Sequence, residues 1–285
     1  MTPSPINDRI IKLLKLGDLE AEKITLKHEK ELLQAYTSAL KEIKAMIAKM
    51  FEKYGDQVGY KDLILYQRLT NLELSIAKQI KPLTGVGKKS IEQAFSAIAK
   101  ESFKVMGNAI ETSAGVSVGF GVLNENVISA SIINPMQRIK WPDVLAENSA
   151  KYLSQIKSEL SQGLIKGEGY AKIANRIERA TELSANKTLR IVRTEGHRAQ
   201  SVGRTVAIDK VEGSAERLGI KVVRVWLATS DDRTRDSHRE MDGKEADEDG
   251  FFTLPSGVRT EAPGLTGLPE EDINCRCTVI VNVNV

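Results

Sequence analysis

Hydrophobic positions along the chain fall into stretches of different period. Leu33, Tyr36, Leu40, Ile43, Ile47, Met50 and Tyr54 recur three and four apart, which lines one face of a helix over roughly 19–54. The positions between them are mostly Lys, Glu, Ala and Gln, all good helix formers. Ahead of this helix, Ile10, Ile11, Leu13, Leu14 and Leu16 cluster within 1–17 as a short helix or arm. Gly55 and Gly59 supply a stop. Leu65, Leu69, Leu72, Ile76 and Ile80 repeat the pattern until Pro82, Gly85 and Gly87, and a third helix carries Ile91, Phe95, Ile98, Met106 and Ile110. Narrow stripes on helices with short connections predict an antiparallel bundle or coiled-coil stalk.

The pattern changes at 113–135, where Gly, Ser, Val, Ala and Asn dominate. Val116, Val118 and Phe120 alternate as in a strand, whereas Leu123, Val127 and Ile128 have helical spacing, so both readings stay open for this flexible segment. Asn134-Pro135 and Trp141-Pro142 are breaks. A helix follows from Asp143 to about Leu160, then Gly163, Gly167 and Gly169, a short helix over Tyr170–Ala180, and another from Ser184 as N-cap through at least Ile208. After Gly219 the period becomes that of a strand, with Ile220, Val222, Val223, Val225 and Trp226. Ser230 or Asp231 can cap a short helix running to about Glu240, and Asp242-Gly243 is a turn. Pro255-Ser-Gly257 between Phe251–Leu254 and Val258–Thr260 has the composition of a hairpin, and Thr278–Val283 is a last strand.

The expected fold is therefore mainly α, an elongated bundle of N-terminal and middle helices with a small α+β domain at the C-terminal end. In sequence terms this divides into a helical region 1–135, ending in the Gly/Ser/Val-rich segment, and a domain 136–285 with helices over 143–216 and an α+β module over 220–285.

Charge adds a polarity to this layout. From Ala228 onward there are 13 acidic and 6 basic residues, while the 227 preceding residues hold 25 acidic and 35 basic. A basic helical body can meet nucleic acid, and a solvated face is the plainer alternative. No apolar run approaches the roughly 20 residues of a membrane-spanning helix, so no stable membrane insertion is expected. Two cysteines argue against a disulfide scaffold, and the first residues lack the features of a secretory signal, so the expectation is synthesis in a reducing cytoplasm.

The stretch Trp226–Cys277 concentrates the chemically versatile side chains. Arg235 and His238 are three apart and share a helical face, with Asp231 just ahead of them. Cys275 and Cys277 alternate along an extended segment and so point to one side. Converging, His238, Cys275 and Cys277 would make a soft metal site, most plausibly for zinc, with Asp231, Asp242, His197 or water as fourth ligand. The competing expectation is packing, with two small buried cysteines and His238 hydrogen-bonded to Asp231 or Asp242. A Cys275–Cys277 disulfide is disfavoured, because strand geometry separates the two side chains.

A second cluster, Arg193-Thr194-Glu195 with Arg198, lies in a helix rich in basic residues. Lys187, Arg190, Arg193, Arg198 and Arg204 are candidates for contacting DNA phosphates. No aromatic residues interleave with them, which argues against base stacking. The Cys/His pair lacks an oxyanion-hole loop or a helix N-terminus presenting either thiol, and clustered carboxylates for a two-metal mechanism are missing. The expectation is a protein without enzymatic activity. The alternatives are a metal-dependent hydrolase or nuclease using His238, Cys275 and Cys277, or a plain DNA-binding module.

The two clusters together resemble a known family. Arg193-Thr194-Glu195-x-x-Arg198 is similar to the helical motif of phage head morphogenesis proteins. Trp226, Asp231, Arg233, Arg235 and His238, then Asp242-Gly243, Pro263 and Ile273-Asn274-Cys275-Arg276-Cys277, resemble the Mu F-like minor head protein domain in order and spacing. The resemblance covers roughly 140–283. It implies a minor capsid protein of a tailed phage or prophage, present in the virion inside the capsid near the portal and in the host cytoplasm during assembly. The implied partners are the portal protein, capsid or scaffolding proteins and non-specifically bound double-stranded DNA, with no small-molecule substrate. The implied role is procapsid assembly or DNA delivery and ejection. Both motif sets are expected to form one buried polar network of Arg193, Thr194, Glu195, Arg198, Trp226, Asp231, Arg233, Arg235, His238, Gly243, Asn274 and the two cysteines.

Overall fold

A computed structural model describes residues 5–55, 60–65, 67–115, 117, 121–133, 140–215, 217 and 219–284. Helix α1 runs unbroken over Pro5–Tyr54. The division expected between an arm and a long helix is absent, because Gly17 is a packing residue: a Cβ there would stand 2.7 Å from Val105 Cγ1. Gly55, at φ 78°, ends the helix as expected and donates its N–H to Phe51 O. The apolar stripe is displaced at its start, where Leu32 is buried and Leu33 is exposed. Gly59 lies outside the described residues.

After the short α2 (Tyr60–Leu65), α3 spans Arg68–Ala114 and continues through Pro82, Gly85 and Gly87. Proline inside a helix removes one hydrogen bond and crowds the carbonyl four residues back, at roughly 3 kcal/mol. Buried Ile80 and Leu83 on either side anchor the backbone against that cost. Gly87 lets α3 approach α5 (Trp141–Ile165), since a Cβ would meet Leu145 Cδ2 at 3.0 Å. In the segment left open by the sequence, α4 occupies Glu125–Ile133, so Val127 and Ile128 are helical, while Val116, Val118 and Phe120 lie outside the described residues.

The two helices expected over 170–180 and from 184 are one, α6 (Tyr170–Ala215). Ser184 is therefore not an N-cap. It is interior, where its carbonyl accepts from Asn148 Nδ2 at 2.9 Å and its hydroxyl lies 3.3 Å from that of Tyr36. Beyond α6 come β1 (Lys221–Leu227), α7 (Asp236–Arg239), β2 (Phe252–Thr253), β3 (Arg259–Thr260), α8 (Pro269–Asp272) and β4 (Thr278–Asn284). β1 pairs antiparallel with β4, from Lys221 opposite Asn284 to Leu227 opposite Thr278. β2 and β3 form the expected hairpin, with Leu254 N bonded to Val258 O and Gly257 at φ 81°. The fold is mainly helical with a small antiparallel α+β region at the C-terminal end, as the hydrophobic periods predict.

Packing groups these elements differently from the sequence division at 135/136. One compact unit comprises Met1–Lys27, Ile91–Lys140 and Val192–Val285; the other comprises His28–Ser90 and Trp141–Ile191. The first has a core built from Leu14, Phe95, Phe103, Met106, Ile208, Trp226, Phe252 and Val279, so the terminal strands share their interior with helical segments. The second has its core between helices, around Tyr36, Ile43, Ile47, Ile76, Tyr152, Ile156 and Ile177.

Candidate functional site

The site is assembled in the first unit by a short helix and the entry to the last strand. Asp231 Oδ1 accepts from Arg233 N and Thr234 Oγ1, both at 3.1 Å, which folds the backbone into the turn preceding α7. α7 carries His238 inward, where its ring meets that of Trp226 edge-on at 5.4 Å. His238 Nε2 lies 2.9 Å from Glu271 Oε2 on α8. A carboxylate only accepts, so the ring hydrogen sits on Nε2. Nδ1 then faces two sulfurs, Cys275 Sγ at 3.6 Å and Cys277 Sγ at 3.4 Å. Asn274 precedes them in the left-handed region at φ 59°, which a short polar side chain tolerates better than a branched one.

His238, Cys275 and Cys277 are all buried, at 1%, 4% and 2% exposure, and both thiols are free. The hydrogen bond between the two thiols pulls Cys277 down, and the same contact, together with burial, pushes Cys275 up. The convergence expected from the sequence is therefore present, whereas the proposed fourth ligands are engaged elsewhere. Asp231 binds Arg276 Nη2 at 2.7 Å at the surface, Asp242 accepts from Ala228 N at 2.8 Å, and His197 Nε2 lies 2.7 Å from Cys277 O. The histidine's carboxylate partner is Glu271, not Asp231 or Asp242. No spacing rule joined it to His238, and its only sequence signal is the acidic Pro269-Glu-Glu-Asp272 turn.

The second cluster is buried as a pair. Glu195 Oε2 accepts from Arg198 Nε at 2.8 Å, and Arg198 also reaches Ser131 O at 2.5 Å and lies over the Phe95 ring at 4.9 Å. Burial pushes the Glu195 carboxyl up, and the Arg198 guanidinium pulls it part-way back. Thr194 is buried beside this pair and Arg193 is exposed. The described hydrogen bonds from α6 to the terminal strand come from His197 and from Arg204, which binds Thr278 Oγ1 and Val279 O. Ser201 Oγ adds a bond to Pro263 O at 2.6 Å. Arg235 Nη2 donates to Ile273 O at 2.6 Å and Gly243 N to Trp226 O at 2.8 Å, so these motif residues hold loops in place. Arg233 is at the surface, 3.6 Å from Asp231.

The family described as Phage Mu protein F like protein matches residues 154–280, which include both clusters and Glu271. Minor head protein GP7 of Bacillus phage SPP1 is 33% identical over 266 residues, covering 92% of this chain and 84% of that protein. The chain belongs to the Mu F-like minor head protein family. A second relative of this Mu F-like chain is an Enterococcus faecalis protein named NAD(+)–arginine ADP-ribosyltransferase EFV. It is 29% identical over 263 residues, and the match spans 88% of this chain but half the length of that protein. An uncharacterised Haemophilus influenzae protein is 24% identical over 131 residues, 46% of this chain and 25% of its own length. No solved structure matches.

Within the Mu F-like region, the set of candidate DNA contacts needs correction. Arg198 and Arg204 are buried at 6% and 1% exposure and are bonded to protein partners, Arg204 with Asp18 Oδ1 at 2.5 Å. A guanidinium so enclosed cannot reach a phosphate, so these two serve the fold. Lys187, Arg190 and Arg193 remain on the surface.

Proposed function

We propose that this minor head protein acts as a structural, non-enzymatic component of a tailed-phage head, held inside the virion near the portal, where it contacts packaged DNA and serves assembly or DNA delivery. The observation that carries the reading is the extent of the match to GP7, which spans nearly the whole of this chain and most of that protein. The likeness therefore includes the helical half, not a shared module alone. The net positive charge of the residues before Ala228 favours DNA contact. On α6, Lys187 and Arg190 are exposed and three apart, a spacing that presents both to one surface.

The test is co-sedimentation of the chain with heads assembled with and without portal protein. Migration with portal-containing particles, and its loss when portal is omitted, is the expected result; a chain that stays at the top of the gradient in both cases refutes the portal assignment. For DNA, affinity should fall steeply with salt, and Lys187→Ala and Arg190→Ala should each lower the slope of log affinity against log salt by about 1. An unchanged slope removes these two residues from the interface.

The relative named as an ADP-ribosyltransferase raises an enzymatic reading. That name describes a protein of which this chain matches half. The His238, Cys275 and Cys277 cluster is too enclosed for a substrate to reach, which favours a structural role over a hydrolase or nuclease. Incubation with labelled NAD(+) and an arginine acceptor decides the matter: transfer of label would establish an enzyme.

A further inference from the structure

We infer that His238, Cys275 and Cys277 bind one zinc ion, a clasp that fastens the start of β4 to α7. The inference goes beyond the head role and does not depend on it.

The geometry is that of ligands already gathered. Zinc bonds of about 2.3 Å to sulfur and about 2.0 Å to nitrogen, at a tetrahedral centre, place the two donor types about 3.5 Å apart. Nδ1 of His238 stands 3.6 Å from Cys275 Sγ and 3.4 Å from Cys277 Sγ, and all three donor atoms lie within 4.8 Å of one another. One ring nitrogen has one lone pair, so it can accept in line from a single thiol. Two sulfurs at nearly equal distance from it match a shared ion better than a hydrogen bond.

The surroundings complete the argument. Glu271 holds the Nε2 hydrogen of His238, which fixes the ring and directs Nδ1 to the sulfurs, the carboxylate–histidine arrangement that orients metal-bound imidazoles. Two thiolates balance the charge of a dication, so the enclosed cluster would carry no net charge, and burying it would be inexpensive compared with burying an unpaired ion. Among the described residues no other His, Cys, Asp or Glu joins the group, which leaves the fourth position to water. The local fold also needs such a clasp. α7 and α8 are four residues long and β2 and β3 two, and paired strands this short are marginal unsupported.

The experiment uses the full chain, untagged and reduced, reconstituted with zinc and freed of excess. Elemental analysis should find one zinc per chain, and chelation should lower the urea midpoint. Replacement with cobalt should give thiolate-to-cobalt charge-transfer absorption, a readout on the unmodified chain that does not depend on any variant folding. Cys275→Ser with Cys277→Ser should abolish both signals. Glu271→Gln should weaken zinc binding about 10- to 100-fold while leaving one site at saturation. The inference is overturned by failure to retain stoichiometric zinc, by a cobalt spectrum without thiolate bands, or by full zinc retention in the double cysteine variant. None of these readouts involves heads, portal or DNA, so a failure here leaves the proposed function standing.

Discussion

The two units solve the problem of buried polar atoms in opposite ways. In the helical unit the interior groups are mostly neutral: Tyr36 with Thr188 at 2.9 Å, Tyr152 with Thr181 at 2.7 Å, Thr84 with Ser149 at 2.7 Å, and Asn148 bridging to Ser184 and Thr188. Among the described residues His28 and Glu29 are the acid and base buried there, His28 bonding Ser90 at 3.0 Å. In the unit holding the terminal strands the interior carries Arg204, Arg224, the Glu195–Arg198 pair, His238 with Glu271, Asp272 and two thiols. A neutral hydroxyl pair adds about 1 kcal/mol and substitutes easily, whereas a buried charge that loses its partner costs about 3–5 kcal/mol. The difference teaches where sequence identity matters: the motif residues carrying the family resemblance cluster where the interior is ionic and least tolerant.

Removing the Arg204 side chain tests that contrast most severely. Arg204→Ala should destabilise the chain by about 3–5 kcal/mol, measured by urea unfolding, because it empties a buried site and strands the Leu14 and Val279 carbonyls. A loss below about 1 kcal/mol would place Arg204 with the replaceable groups. Gly203 should come next. A Cβ there would stand 2.3 Å from Ala99 O and 2.9 Å from Phe103 N, both backbone atoms that cannot swing aside, so Gly203→Ala should cost roughly 2–3 kcal/mol.

In the neutral unit, alkaline titration gives an effect of similar or smaller size. Burial raises the Tyr152 phenol to about 12, above its unfolded value near 10. The unfolded chain therefore loses this proton first, so the contribution is complete below pH 10 and falls away as pH rises towards 12. Tyr152→Phe should reduce the stability loss across that window by on the order of 2 kcal/mol; an unchanged pH profile would contradict it. Thr188→Val should cost only about 1 kcal/mol, since it removes neutral bonds alone. Smallest is Gly213→Ala, in the same helix as Gly203 but with open space around its Cβ position, which should raise the thermal midpoint through a gain of about 0.5–1 kcal/mol.

Much of this was legible because helical and strand periods are local properties. Tyr36, Ile43, Ile47 and Met50 are buried as their spacing predicts, and the Pro255–Gly257 turn sits where its composition puts it. Helix ends were less legible. Pro82, Gly85, Gly87 and Ser184 read as punctuation, yet all lie inside helices. Gly17 and Gly87 are small because of what approaches from elsewhere, Val105 and Leu145, and no local window contains those neighbours. The same limit governed the site. The scarcity of soft donors pointed to His238, Cys275 and Cys277, but Glu271 lies 33 residues from the histidine it orients. Arg198 and Arg204 looked like surface charge because Ser131 and Asp18, which enclose them, are 67 and 186 positions away.

The bond from Val283 N to Asn7 Oδ1 joins residues 276 positions apart, and it sets an order of events. A ribosome adding about 5–20 residues per second needs on the order of ten seconds or more to travel from one to the other. Throughout that interval Ile10 and Leu14, destined for the core shared with β4, lack the strand that helps to cover them. The early helix is thus presented to neighbouring molecules before its own chain can claim it, a period in which a chaperone or an assembly partner has first access.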